Sequence, residues 1–192
     1  MDFLKCLDNF PWSRFATPYE MSSKGLKENF VKMFKGVAEP SNYKYVIWRL
    51  EHQETLYRIT PWGLKFYIYL LEVEKTDKSI LLQNIKTLFE AANYNNQVDI
   101  VMKYNPTKGK LTKYEQIKSK LFDDNFDGTM DAEYLKTFKS IDRNFMQRCI
   151  MDYISEKKFV LEKFVKSDNE DIAKNATLLI NSINNPEDYK LE

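Results

Sequence analysis

The chain has 192 residues, a formal net charge of +1, 43% hydrophobic and 30% charged residues, a balance that excludes a disordered tail and gives no global pull toward nucleic acid, anionic membrane or acidic substrate. Five Gly and six Pro are too few for an all-β protein with many tight turns. Two cysteines without a CxxC pair exclude a disulfide framework, and a single histidine excludes a multi-histidine metal site.

Residues 1–21 read as partly irregular. They lack the basic start and long apolar region of a secretory signal, and FYIYLL from Phe66, the longest apolar run, is too short to span a bilayer. A cytoplasmic protein without a membrane partner is expected. From Ser22 to Gly36, Leu26, Phe30, Met33 and Phe34 fall on one helical face, with Ser22 or Ser23 as N-cap and Gly36 at the end. After a break at 38–41, YKYVIWRLEHQETLYRI carries a broad apolar stripe and reads as helix. Thr60-Pro61 then opens the apolar WGLKFYIYLLEVE, expected to be the central helix.

Thr76 or Asp77 caps a further helix, with Ile80, Leu81, Ile85, Leu88, Phe89 and Ala92 on its inner face and the turn-like NYNNQ at its end. KYNPTKGK from Lys103 is a loop. Thr112 and Glu115 have capping-box spacing before Tyr114, Ile117 and Leu121. Helical stripes follow at Leu135, Phe138 and Ile141, at Phe145, Cys149 and Tyr153, and at Val160, Phe164 and Val165. Ser167 and Glu170 make a second capping box, for a helix that Asn184, Asn185 and Pro186 terminate. No segment alternates with period two, so a single all-α domain over 1–192, built of antiparallel helix pairs, is expected.

Two stretches carry a resemblance. FVKSDNEDIAKNATLLINSI, from Phe164, resembles a HEAT-repeat pattern, with Asp168, Asn169 and Glu170 at the turn and Ala173 and Ala176 as the small residues facing a partner helix. IWRLEHQETLYRITPWGLKFYIYLLE, from Ile47, looks like a segment of bacterial HEAT-like proteins of unknown function, through Trp48, His52, Gln53, Thr55, Tyr57, Thr60, Phe66, Leu70 and Leu71. The resemblance implies a single helical-repeat domain shaped as a small HEAT-like α-solenoid. Such scaffolds present a concave face to another macromolecule.

The residues that carry chemistry are few. LFDDNFDGTMDAEY, from Leu121, has oxygen ligands at the alternate positions of a calcium loop in Asp123, Asn125, Asp127, Thr129 and Asp131, and Gly128 at the sixth. The twelfth position is Tyr134. Its acid stands one residue early at Glu133, rotated by about 100 degrees on an exiting helix, so the loop reads as an interhelical turn that is at most a weak calcium site. No GxSxG, P-loop, dinucleotide glycine pattern or HExxH is present, and neither catalytic residues nor a cofactor are expected. His52 reads as a half-buried histidine tying its helix to the next.

The first functional expectation is a non-enzymatic protein-interaction module, with bacterial toxin immunity or an adaptor role as its setting. Aromatic anchors dominate interface energetics, and the expected partner-binding residues are Trp48, His52, Gln53, Tyr57 and Trp62. The alternative is nucleic-acid binding by residues 103–120, where Lys103, Lys108, Lys110, Lys113, Lys118 and Lys120 face a single acid, Glu115.

Overall fold

A computed structural model describes residues 2–15, 17–19, 23–53, 55–101 and 143–186. The elements are α1 (Phe3–Asn9), a 3-10 turn at Trp12–Arg14, α2 (Lys24–Lys35), α3 (Pro40–Leu50), a hairpin of β1 (Glu51–His52) and β2 (Thr55–Leu56), α4 (Thr60–Leu70), α5 (Lys78–Val101), α6 (Arg143–Glu156), α7 (Lys158–Glu162) and α8 (Glu170–Asn184). The described chain is all-α apart from that hairpin. Its buried apolar residues, from Phe3 to Leu179, form a single cluster with the exception of Val160.

Part of the expected irregular N-terminus is helical. Asp2 caps α1 by accepting from the Lys5 N–H, which places Phe3, Cys6 and Leu7 inward. Phe10, Trp12, Phe15, Phe30, Trp62 and Phe66 then meet ring against ring, with centroid separations from 4.6 Å for Phe10–Trp12 to 6.1 Å for Phe10–Phe66 and Trp12–Phe30. Edge-to-face and offset pairs of this kind are worth about 0.5–1.5 kcal/mol each beyond the area they bury. The Trp12 indole N–H donates to the Leu7 carbonyl at 2.8 Å, and the Trp12 carbonyl accepts from the Ser23 hydroxyl at 2.6 Å. Ser23 stands at the N-cap position of α2, but its side chain is committed to Trp12 and caps nothing.

Asn29 and Asn42 join α2 to α3. The Asn42 amide donates to Asn29 Oδ1 at 2.7 Å, while Asn42 Oδ1 accepts from the Glu39 N–H in a capping box. The expected helix through residue 59 stops at Leu50. Thr60 is fully buried; its hydroxyl donates to the Leu50 carbonyl at 2.5 Å and accepts from the Tyr57 N–H at 3.0 Å, and that N–H also reaches the Leu50 carbonyl at 3.2 Å. Residues 51–52 and 55–56 form an antiparallel pair, Glu51 opposite Leu56 and His52 opposite Thr55. Thr60 therefore fixes the path between helices rather than capping α4, whose N-cap position is Ile59.

Helix α4 is buried on nearly every side, as its composition requires. Gly63 lets it lie against α3: an ideal Cβ there would stand 2.4 Å from Leu50 Cδ1. Asp77 caps α5 by accepting from the Ile80 N–H at 3.0 Å, and Thr76 instead donates to the carbonyl end of α4 at Leu70, 2.7 Å away.

Helix α5 runs through NYNNQ to Val101 instead of ending there. Asn93 is buried and donates to the Pro186 carbonyl at 2.7 Å, a tertiary bond that outweighs the weak helix propensity of asparagine. At the other end Asn175 donates to Ser79 Oγ at 2.9 Å. With Ser79 beside Asn175 and Asn93 beside Pro186, α8 runs in the same direction as α5. Asn169, not Ser167, caps α8, its Oδ1 accepting from the N–H groups of Asp171 and Ile172. Ala176 and Cys149 are wholly buried.

Candidate functional site

Exposed Lys44 and Trp48 and half-buried Tyr45 and Arg49 stand on α3, with half-buried His52 on the hairpin that follows. On α3, residues four apart share a face, so Lys44 meets Trp48 and Tyr45 meets Arg49. The Lys44 ammonium stands 4.4 Å from the Trp48 ring centroid and the Arg49 guanidinium 3.3 Å from that of Tyr45. Arg49 also faces the Tyr19 ring at 5.4 Å. The Tyr19 hydroxyl and His52 Nδ1 share a hydrogen bond at 3.0 Å, their rings edge to face. Tyr45 lies over Gly25 of α2, where an added Cβ would meet its hydroxyl at 2.2 Å. A chain of contacts thus runs from Gly25 through Tyr45, Arg49 and Tyr19 to His52.

Trp48 is 48% exposed and Tyr19 49%, whereas His52 and Tyr57 are half-buried and Gln53 is exposed. Gln53 holds φ at 49°, in the left-handed region that a non-glycine residue occupies at a cost. Trp62 is different. At 1% exposure, packed against Phe10 and Phe15, it is part of the core and offers no surface to a partner, because other elements cover α4 on nearly every side. The four other expected residues stand on α3, β1, the turn and the segment just after β2. His52 ties its segment to Tyr19 rather than to the next helix. Tyr19, Lys44, Tyr45 and Arg49 escaped sequence reasoning; the i,i+4 spacing could have shown the two pairs on α3, but nothing local points to Tyr19.

Perturbed titrating groups gather elsewhere, around the carbonyl end of α4. Burial pushes the Tyr43 hydroxyl up, and it accepts from the Asp77 N–H at 3.0 Å. Burial pushes the Tyr67 hydroxyl far above the usual tyrosine value, only partly offset by the Asn84 amide that donates to it at 3.2 Å. Burial lowers Lys78, whose ammonium donates to the Val73 carbonyl and, at 2.6 Å, to Thr76 Oγ1. Lys78 also reaches the Leu70 carbonyl, the last of α4, at 3.5 Å, where a cation complements the helix dipole.

The lysines Lys103, Lys108, Lys110, Lys113, Lys118 and Lys120, and the calcium-loop residues Asp123, Asn125, Asp127, Thr129 and Asp131, lie outside the described residues, as do the helices expected near 112–121 and 135–141. Among the described residues no three His, Cys, Asp or Glu side chains converge to hold a metal ion. No described helix is long and apolar enough to cross a membrane. Comparison with known proteins finds no similarity to report: no family model matches, and neither curated proteins nor solved structures give a significant match.

Proposed function

We propose that this chain is a non-enzymatic protein-interaction module, its helices stacked as a small HEAT-like α-solenoid, which holds a protein partner against α3 and the hairpin. The observation that carries the reading is the exposed pairing of Trp48 with Lys44, beside Tyr45, Arg49, Tyr19 and His52. Trp, Tyr and Arg are the residue types enriched at the energetic centres of interfaces, and cation–π pairing holds the side chains in place before a partner arrives. The strained backbone at Gln53, at the tip of the same face, fits a segment held for recognition. Toxin immunity or an adaptor role in a bacterial cytoplasm is the setting we propose, by analogy with other small helical-repeat proteins.

The test is affinity capture from the protein's own cells with wild type and Trp48→Ala side by side, each confirmed folded by thermal melting. One protein retained by the wild type at moderate salt and lost with the variant supports the reading. Equal capture by both overturns it. The run of six lysines against one acid in 103–120 sustains nucleic-acid binding as the second reading. It requires association with DNA or RNA that weakens steeply with salt and is lost when those lysines are changed to glutamine.

A further inference from the structure

Trp48 and Lys44 differ from the other groups of the α3 face in what they leave uncommitted. Arg49 faces the Tyr45 and Tyr19 rings and donates from Nη1 to the Tyr45 carbonyl at 3.3 Å, and the Tyr19 hydroxyl is bonded to His52. Among the described residues the Lys44 ammonium contacts the Trp48 ring, 4.4 Å from its centroid, and pairs with no carboxylate. The Trp48 indole N–H likewise donates to no acceptor among the described residues, and the side chain is 48% exposed. Helix α3 carries Lys44 and Arg49 and no acid, with Glu39 before it and Glu51 after it.

An ammonium beside an indole and the N–H on the indole edge are two donors with no acceptor between them. At an exposed site a cation–π contact is weak, so the ammonium can turn to an anion while its stem still covers the ring. The complement of such a pair is a carboxylate next to an apolar side chain. Its oxygens accept from the ammonium and the N–H, and the apolar neighbour leaves water on the ring. A single-stranded nucleic acid is a poorer complement: its phosphates need several cations in succession, whereas α3 offers Lys44 beside an Arg49 already engaged. Resting on the α3 face as the interface proposed above, we infer that this face receives an aspartate or glutamate side chain of the protein partner, held by Lys44 Nζ and Trp48 Nε1, with an adjacent apolar residue of the partner against the indole.

The probe is the capped peptide acetyl-Leu-Glu-Leu-amide, titrated into isotopically labelled protein while the indole N–H resonance of Trp48, identified by its loss in Trp48→Phe, is followed. Beside it are acetyl-Leu-Gln-Leu-amide, acetyl-Ser-Glu-Ser-amide, acetyl-Leu-Gln-Leu with a free C-terminal carboxylate, and a short dT oligomer. The glutamate peptide is expected to shift the Trp48 resonance downfield to saturation, more weakly as salt is raised, and to leave the indoles of buried Trp12 and Trp62 in place. Lys44→Gln is expected to weaken binding about two- to fivefold, and Lys44→Arg to stay within about twofold of the wild type. The inference is overturned if the glutamate peptide binds no better than its glutamine or serine analogue, if the free C-terminus or the oligomer binds tighter, or if folded Lys44→Gln retains full affinity. This result stands apart from the capture test. A partner that depends on Trp48 together with a protein indifferent to the glutamate peptide removes the carboxylate alone; capture indifferent to Trp48 removes the interface on which it rests.

Discussion

The Thr60 hydroxyl donates to the Leu50 carbonyl at 2.5 Å, so the last residue of α3 and the first of α4 are tied directly while the hairpin between them turns Leu56 into the core. Thr60→Val keeps the shape and removes the donor, leaving the Leu50 carbonyl with the Tyr57 N–H and Tyr57 with one acceptor fewer. A loss of about 1–3 kcal/mol in urea unfolding is expected, and Thr60→Ser, which keeps the hydroxyl, should lose less. A Val variant as stable as the wild type would show that the hairpin closes without this bond.

Tyr67 sets the alkaline limit. Its folded value is raised by burial, so between the ordinary tyrosine value of 10.0 and that raised value the folded state holds a proton the unfolded state has released. Stability from this group is complete below about pH 10 and falls as pH climbs above it. Lys78 has the opposite sign: its lowered value means the unfolded chain binds more protons just below 10.5, so its contribution rises with pH there. Tyr67→Phe should flatten the alkaline decline while costing about 1 kcal/mol at neutral pH through the abandoned Asn84 amide. Tyr43, also raised, retains a smaller decline. Melting temperatures measured from pH 7 to 11 read both effects.

Gly63 and Leu50 offer a test of close packing. Gly63→Ala places a methyl group against both Leu50 methyls and should destabilise by about 1–3 kcal/mol. In a Leu50→Ala background the same change should cost much less, giving a coupling free energy in a double-mutant cycle. Additive losses would mean that α3 and α4 can shift apart.

At the candidate interface the expected effects separate binding from folding. Trp48→Ala removes a half-exposed ring and should change stability by no more than about 0.5 kcal/mol while abolishing partner capture. Gln53→Asn should be stabilising by a few tenths of a kcal/mol, roughly, because asparagine tolerates the left-handed backbone better. Guanidinium titrations of the two variants check both figures.

Helices with a clean period and one clear end signal were legible in the sequence: α2 with its face at Leu26, Phe30 and Met33 and Gly36 at its close, and α5 with Asp77 at its start. The hairpin was not. Its two-residue strands are too short to show alternation, and EHQETL is as acceptable to a helix as to a turn until Thr60 reaches back to Leu50. The continuation of α5 past Asn93 was hidden for the same reason, since its bond to Pro186 spans 93 positions. The sequence placed Trp48 on the apolar stripe of its helix and Trp62 at the start of an apolar helix, and only the surrounding elements leave the first 48% exposed and bury the second.

The separation of Trp48 from the other two tryptophans has an optical consequence. Trp12 and Trp62 are 5% and 1% exposed, so their fluorescence reports on the aromatic core, while Trp48 alone of the three stands open to a dissolved quencher. In Trp48→Phe the emission becomes a pure signal of unfolding. In the wild type, shielding from acrylamide reports occupancy of the α3 face without any label attached.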